Sequence, residues 1–228
     1  MGVRENLGAV LSKIISAAKG AGRDPSRVKL VAVTKTVPFE KVAEAIEAGA
    51  ETLGENRVQE ALPKVSEAAA RGLAVEWHLI GTLQKNKAKH AVGVFSLIHS
   101  VDGVGLAREI DRQAAKRGIV QDILLEINGA GETTKHGVRP EDALPLAREV
   151  SALGNVRLRG LMCVPPFTDD PEGSRPHFVR MRGLLAEINA AGIEAAELSM
   201  GMTQDYEAAV QEGATLVRVG TAIFGARG

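Results

Sequence analysis

The apolar run Val28-Lys29-Leu30-Val31-Ala32-Val33 is followed, after one threonine, by Lys35. A short run of this kind, rich in β-branched residues, is typical of a strand buried in a parallel sheet. Functional groups of α/β barrels gather where the chain leaves its strands, so we expect Lys35 to project into a pocket. A lysine amine in a pocket can form a Schiff base with a carbonyl compound, although a solvated lysine at a strand end is the common alternative.

Short apolar runs alternate with helical patterns along the rest of the chain, which indicates βαβ units and a parallel sheet. Eight strands are predicted, over residues 28–33, 51–53, 75–80, 95–99, 121–127, 156–162, 194–198 and 216–219. Helices are predicted over 3–18, 39–48, 57–70, 85–91, 103–117, 140–153, 176–191 and 204–212. This count predicts one α/β domain over residues 1–228, a (β/α)8 barrel of the TIM type with an extra N-terminal helix.

Composition argues against several partners and locations. The 28 basic and 28 acidic side chains cancel to a formal charge of zero, so bulk charge gives no attraction to nucleic acid or to a membrane surface. Cys163 is the single cysteine, which excludes an internal disulfide and a thiolate metal cluster and is typical of a reducing compartment. The first helix carries Arg4, Glu5 and Lys13 among its apolar residues, so it is neither a signal peptide nor a membrane span. We therefore expect a cytoplasmic protein with no metal site.

Polar or flexible residues follow nearly every predicted strand, as expected at the mouth of a barrel that carries function. The candidate site residues are Lys35, Asn56, His78, Ser199, Met200, Arg218, Gly220 and Thr221. Phosphate in barrels is often held by the loops after strands seven and eight. Ser199 and Thr221 offer hydroxyls there, while Gly201 and Gly220 let the backbone approach an anion. An amine and an anion cradle at one mouth together predict a phosphorylated aldehyde as ligand.

Three side chains near this mouth have two interpretations each. Arg218 inside a barrel requires a partner, which could be the acceptor nitrogen of a planar heteroaromatic ring or a structural ion pair with Glu194 or Glu197. His78 could carry protons or be a hydrogen-bonded core histidine. Cys163 lacks a visible base motif, so a small buried hydrophobe is favoured over a nucleophile.

Two loops are predicted to rise over the barrel mouth. The Gly-rich segment over 128–138 lacks the G-x-G-x-x-G spacing of a nucleotide-binding loop, and we expect it to gate the pocket. The segment over 165–171 has the proline and aspartate content of an excursion over the rim.

Ordered motifs along nearly the whole chain resemble the family of pyridoxal 5'-phosphate (PLP) homeostasis proteins. That family is similar to the barrel domain of alanine racemase, which represents fold type III among PLP proteins. The motifs are Ala32-Val33-Thr34-Lys35-Thr36, Leu53-Gly54-Glu55-Asn56-Arg57, Trp77-His78-Leu79-Ile80-Gly81, Gly160-Leu161-Met162, Leu198-Ser199-Met200-Gly201-Met202 and Val217-Arg218-Val219-Gly220-Thr221.

The resemblance implies a cofactor site as well as a fold. Lys35 would carry PLP covalently as an internal aldimine, while Ser199, Gly220 and Thr221 would hold its phosphate. Arg218 would face the pyridine nitrogen and keep it unprotonated, which weakens the ring as an electron sink. The resemblance also implies that Asn56 lies close to the ring; His78 and Met200 complete the predicted cofactor-binding set.

Three functions of different classes fit these features. The resemblance favours a monomeric carrier that buffers PLP in vitamin B6 homeostasis and delivers it to apo-forms of PLP enzymes without a turnover reaction. A weak amino-acid racemase is the alternative, but it needs a second base, and the single tyrosine, Tyr206, is the one candidate. An aldolase would commonly carry its lysine on the sixth strand, where this chain has Met162 and Cys163.

Overall fold

The computed structural model describes residues 2–129, 137–166 and 168–225. Within these residues eight parallel strands pair in chain order, and the eighth pairs with the first to close a barrel. The strands are β1 (Lys29–Val33), β2 (Thr52–Glu55), β3 (Glu76–Leu79), β4 (Leu97–Val101), β5 (Gln121–Ile127), β6 (Val156–Cys163), β7 (Glu197–Ser199) and β8 (Leu216–Val219). The predicted (β/α)8 barrel is therefore confirmed.

Helices surround the barrel and connect successive strands. They are α1 (Val3–Gly20), α2 (Phe39–Glu47), α3 (Val58–Ala70), α4 (Ala88–Ala91), α5 (Val104–Arg117), α6 (Ala143–Ser151), α7 (Arg175–Ala190), α8 (Tyr206–Gln211) and α9 (Thr221–Phe224). Short 3-10 turns occur at Pro25–Arg27, Lys85–Lys87, Pro140–Asp142 and Pro171–Ser174. Among the described helices, none is both long and apolar enough to cross a bilayer.

Two hydrophobic layers hold the fold together. The outward-facing strand residues and the inner faces of the helices form one large core, in which Leu53, Ile98 and Phe178 are completely buried. A separate cluster fills the barrel interior, so the barrel is a packed core and not a pore. Its members are Val31, Leu97, Leu124, Met162 and Leu216, with Ile80 packed against them.

A glycine lets β6 change its pairing register midway. Gly160 has φ +158°, and a Cβ there would lie 1.9 Å from the backbone oxygen of Glu197 on β7. Leu158 pairs with Ile123, but the next paired residue of β6 is Gly160, opposite Leu124. This bulge allows the upper part of β6 to approach β7 closely.

Several predicted elements differ from the structure at their boundaries. The seventh strand, predicted over 194–198, begins at Glu197, because Asn189 of α7 hydrogen-bonds both the N–H and the C=O of Ala195. The fourth strand begins at Leu97 instead of residue 95, since the Phe95 amide donates to Ala91 at the end of α4. The helix predicted over 85–91 is divided into a 3-10 turn and α4. Helix α9 was not predicted.

Candidate functional site

The carboxyl ends of the strands surround a cavity of about 690 Å³. Its lining includes the predicted residues Lys35, Asn56, Arg218, Gly220 and Thr221. A smaller cavity of about 330 Å³ adjoins it and shares Lys35, Gly220 and Thr221 in its lining. Residues from strands one, two and eight thus meet at one mouth, as the strand-end rule predicts.

Lys35 follows β1, and hydrogen bonds fix the backbone of the residue before it, Thr34. The Thr34 hydroxyl donates to Glu55 Oε1 over 2.7 Å, and Lys64 Nζ donates to the Thr34 carbonyl oxygen over 2.6 Å. Lys64 Nζ also lies 2.7 Å from Glu55 Oε1, in an ion pair whose carboxylate is completely buried. Thr36, directly after the lysine, has φ +60°, which turns the chain away from the strand direction. Lys35 is itself half-buried at the rim.

Arg218 projects into the barrel from β8 with 4% of its surface exposed. Its Nη1 donates to Ser199 Oγ over 2.5 Å, and its Nη2 donates to the carbonyl oxygen of Cys163 over 2.8 Å. Burial lowers the pKa of Arg218, whereas Cys163, Asp205 and Glu126 oppose that shift. An arginine remains charged under such conditions, so it places a fixed cation at the base of the cavity.

The structural ion pair considered for Arg218 is absent among the described residues. Glu197 Oε2 instead accepts a hydrogen bond from Thr215 Oγ1 over 2.5 Å, at the start of β7. Among the described residues, the hydrogen-bond acceptors of the guanidinium are a hydroxyl and a backbone carbonyl, both uncharged. This leaves the charge of Arg218 available to a ligand in the cavity.

Ser199, His78 and Met200 lie deeper than predicted. The Ser199 side chain is completely buried, and its Oγ contacts both Arg218 and His99. Strand alternation turns Met200, also fully buried, toward the surrounding helices. The described residues that line the cavity include none of these three, so this placement does not support the prediction that their side chains contact a ligand.

His78 forms a buried pair with His99, a residue that the sequence did not single out. His78 Nδ1 lies 3.0 Å from His99 Nε2, and His99 Nδ1 lies 2.9 Å from Ser199 Oγ. Burial lowers the pKa of His78 to about 3 and that of His99 well below 6.5, so both imidazoles are neutral at pH 7. His78 Nε2 lies 3.8 Å from Glu76 Oε2, but a neutral imidazole forms no ion pair. The core-histidine interpretation of His78 is the one that this geometry supports.

The loop after β7 contributes residues that were not among the candidate site residues. Met202, Thr203 and Asp205 line the large cavity. Gly201 has φ +90°, and a Cβ there would lie 2.5 Å from the Cβ of Ala209 on α8. The glycine therefore serves a tight turn against the helix, and this turn brings Thr203 to the cavity. The sequence analysis used the residue at the end of the strand and therefore chose Ser199 as the phosphate ligand.

The loop after β6 forms the opposite wall, as predicted for a rim excursion. Val164, Pro165 and Pro166 line the cavity there, together with Thr168. Of the gate predicted over 128–138, residues 130–136 lie outside the described residues. The described ends of that segment are joined, because the amide of Asn128 donates to the carbonyl oxygen of Val138 over 2.8 Å.

Cys163 and Tyr206 are both buried. Burial raises the pKa of the Cys163 thiol to about 12, so it is protonated and behaves as the small hydrophobe that was predicted. Tyr206 is 4% exposed at the start of α8, and burial raises its pKa as well. Tyr206 is not found among the described residues that line the cavity. Within the same residues there is no group of three or more His, Cys, Asp or Glu that could hold a metal ion.

Comparison with known proteins assigns the fold family. Residues 6–228 match the family model of the alanine racemase N-terminal domain. An alanine racemase structure from Clostridium difficile is similar with a TM-score of 0.75, at 17% identity, covering 98% of this chain and 57% of that one. At this identity the likeness concerns the fold alone.

Full-length relatives are more specific. The chain is 45% identical over 228 residues to the pyridoxal phosphate homeostasis protein of Aquifex aeolicus, covering 100% of this chain and 99% of that protein. It is 44% identical over 225 residues to the protein of the same name from Pseudomonas aeruginosa, covering 99% and 96%. The structure of PipY from Synechococcus elongatus with PLP bound has a TM-score of 0.85 at 37% identity, covering 98% and 100%. The chain therefore belongs to the family of pyridoxal phosphate homeostasis proteins.

Proposed function

We propose that this protein binds PLP in the large cavity, that Lys35 holds it as a Schiff base, and that the protein serves PLP homeostasis without a turnover reaction. The observation that carries the proposal is the convergence of Lys35, Arg218 and Thr221 on one cavity. The names of the full-length relatives and the PLP complex of PipY support the same ligand.

The residues present fit the chemical groups of PLP. The cofactor offers an aldehyde, a pyridine nitrogen and a phosphate, and the cavity offers the amine of Lys35, the guanidinium of Arg218 and threonine hydroxyls, among them those of Thr203 and Thr221. Its volume of about 690 Å³ lies within the range of small-molecule sites, roughly 300–1,000 Å³. The match includes an aldehyde-reactive group, which ordinary anion sites do not need.

The phosphate is assigned to Thr203, Gly220 and Thr221. All three line the large cavity, whereas the hydroxyl of Ser199 is already engaged below it. A Cβ at position 220 would lie 3.2 Å from the Cβ of Val33, so glycine keeps the backbone of β8 close to β1 at this point. Backbone amides exposed by such a turn are suitable donors for phosphate oxygens.

We assign Asn56 to the ring. It follows β2 and lines the cavity, and a Cβ at Gly81 would lie 2.4 Å from its carbonyl oxygen. This close approach of two strand ends fixes the backbone of Asn56. Its amide can therefore donate to, or accept from, a polar atom of the ligand without reorganisation.

The chemistry required of Lys35 is a reversible condensation. Bound PLP would supply the aldehyde, and the neutral amine of Lys35 would be the nucleophile that adds to it with loss of one water molecule. Hydrolysis reverses the step and releases the aldehyde, which is what a buffering or delivering protein needs. No second base is required for either direction.

One feature supports a carrier over a racemase. A two-base racemase needs an acid or base on each face of its substrate, and Tyr206 is buried away from the described lining of the cavity. Deuterium exchange at the α-carbon of alanine, with formation of the other enantiomer, would contradict this assignment.

The proposal is tested by the absorption of the protein after addition of PLP. Wild-type protein is expected to develop the visible band of a PLP Schiff base, and Lys35→Ala is expected to lack it. Lys41→Ala is the matched control, because Lys41 lines the adjoining cavity beside Lys35. An unchanged band in Lys35→Ala would overturn the assignment.

The phosphate assignment has its own variants. Thr203→Val and Thr221→Val remove one hydroxyl each from the cavity lining without changing the shape of the side chain. Loss of a hydrogen bond to a charged phosphate is expected to weaken PLP retention by about tenfold to a hundredfold. Pyridoxal, which lacks the phosphate, should bind these variants and the wild type equally. A retention unchanged in both variants would place the phosphate elsewhere.

A further inference from the structure

Four buried side chains form one continuous hydrogen-bond chain through the barrel interior. Arg218 contacts Ser199 over 2.5 Å, Ser199 contacts His99 over 2.9 Å, and His99 contacts His78 over 3.0 Å. Each of the four is at most 4% exposed. The chain begins at the cavity, where Arg218 is part of the lining, and ends near Glu76 at the start of β3.

The chemistry of its two ends favours one direction for this chain. A guanidinium can only donate hydrogen bonds, so Ser199 Oγ must accept from Arg218. A neutral imidazole has one donor nitrogen and one acceptor nitrogen. At the far end Glu76 Oε2 lies 3.8 Å from His78 Nε2, beyond hydrogen-bond distance, and the negative charge of this carboxylate favours an N–H on the nitrogen that faces it. The arrangement that we infer has a proton on Nε2 of both histidines, with every donor pointing away from the cavity.

The direction has a consequence for Ser199. Its single proton is committed to His99 Nδ1, which is 2.9 Å away, so its lone pairs remain directed at Arg218. The second anchor of the guanidinium, the carbonyl of Cys163, is part of the β6 backbone. Arg218 is thus held at two points by uncharged acceptors, and one of these depends on the two histidines.

We propose that His78 and His99 are positioning residues which, through Ser199, fix the guanidinium of Arg218 against the pyridine nitrogen of PLP and so keep that nitrogen unprotonated. This inference rests on the proposed function, because it takes PLP as the ligand of the cavity. Neither histidine touches the ligand in this account. Both act on it through the orientation of Arg218.

The first experiment examines the hydrogen-bond direction in protein without PLP. Long-range 1H–15N NMR spectra of 15N-histidine-labelled protein at pH 7 are expected to show the Nε2–H tautomer for His78 and His99. Variants that lack one histidine at a time assign the signals. A proton on Nδ1 of either residue, or an imidazolium at pH 7, would overturn the inference.

The second experiment follows the ring nitrogen itself. With 15N-labelled PLP, wild-type protein is expected to show an unprotonated ring nitrogen at pH 7, and His99→Leu is expected to shift the signal toward the protonated form and weaken retention by about tenfold. His99→Gln should restore both, since its amide provides one acceptor and one donor. Gln121→Leu is the control, because Gln121 is a buried amide that bonds Gly93 and Phe95, away from this chain.

The outcomes separate the inference from the proposed function. An unshifted ring-nitrogen signal in folded, PLP-bound His99→Leu would overturn the positioning role while leaving PLP binding intact. Wild-type protein that binds no PLP would overturn the proposed function and the role of the histidines toward PLP together. Should His99→Leu fail to fold, Ser199→Ala breaks the same connection one step closer to Arg218, and the same shift is expected of it.

Discussion

Replacement of Lys64 by methionine tests the clamp beneath Lys35. The Lys64 ammonium bonds the Thr34 carbonyl and forms the ion pair with Glu55 Oε1. Glu55 is completely buried, and its other oxygen, Oε2, has no hydrogen-bond partner among the described residues. Methionine preserves the length of the side chain while removing its charge. The variant therefore leaves a buried carboxylate with one remaining donor, the hydroxyl of Thr34.

The magnitude follows from the burial of this pair. Removal of one member of a buried ion pair costs about 3–5 kcal/mol, because the remaining charge is left uncompensated. With a urea dependence of about 2–3 kcal/mol per M, this loss lowers the midpoint of unfolding by about 1–2.5 M. The double variant Lys64→Met/Glu55→Gln removes both charges, and we expect it to recover at least half of the lost free energy of unfolding.

Urea unfolding followed by circular dichroism measures these differences at pH 7. Lys116→Met is the control, since Lys116 is exposed on α5 and its replacement should change the free energy of unfolding by less than about 0.5 kcal/mol. A loss below about 1 kcal/mol in Lys64→Met would refute the reasoning, because a charge truly excluded from water cannot lose its partner so cheaply. A double variant less stable than the single one would refute it as well.

Three further predictions concern burial and backbone conformation. The pKa of His78 is lowered to about 3 and that of His99 falls well below 6.5, so the unfolded chain binds more protons in acid than the folded chain does. The free energy of unfolding should therefore be constant above pH 6.5. Below pH 6.5 it should fall by up to about 1.4 kcal/mol per pH unit for each histidine. Urea titrations at pH 7.5 and 5 measure this, and no difference between them would count against neutral buried histidines. Gly201→Ala should destabilise the protein by about 1–3 kcal/mol, because residue 201 has a positive φ. Gly183→Ala is the control and should not destabilise the protein, because a Cβ at this position of α7 meets open space. Equal thermal unfolding midpoints for the two variants would contradict this prediction. Native Cys163, whose pKa is raised to about 12, should resist iodoacetamide and react once urea unfolds the chain, and mass spectrometry of the native protein would expose any early labelling.

The strands that were predicted well are those whose pattern of apolar residues is visible within the strand itself. The run at 28–33 is nearly continuous in apolar residues and became β1 with a difference of one residue. The second strand was predicted to stop at residue 53, and the two residues that follow, a glycine and a glutamate, disfavour strands. Gly54 nevertheless fits, since a Cβ there would lie 2.9 Å from Val31 Cγ1, and Glu55 is compensated by Lys64 of α3. Both reasons arise from tertiary contacts.

The same distinction applies to the site. Lys35, Arg218 and Thr221 were predicted because the strand-end rule depends on sequence order alone, and the structure places them at one cavity. Their exact roles toward PLP remain predictions. The partnership of Ser199 with His99 joins residues 100 positions apart, and it exists only because the barrel closes. A strand pattern predicts which face of the strand a residue occupies, but it does not predict how deep in the barrel its side chain is buried. For this reason the sequence analysis assigned Ser199 to the phosphate.

The central claim is that the amine of Lys35 carries PLP, and covalent trapping tests it most directly. Borohydride reduction of the PLP-loaded protein, followed by proteolysis and mass spectrometry, is expected to locate a single pyridoxyl group on the peptide that contains Lys35. A pyridoxyl group on Lys41 or on any other lysine, with Lys35 unmodified, would contradict the account.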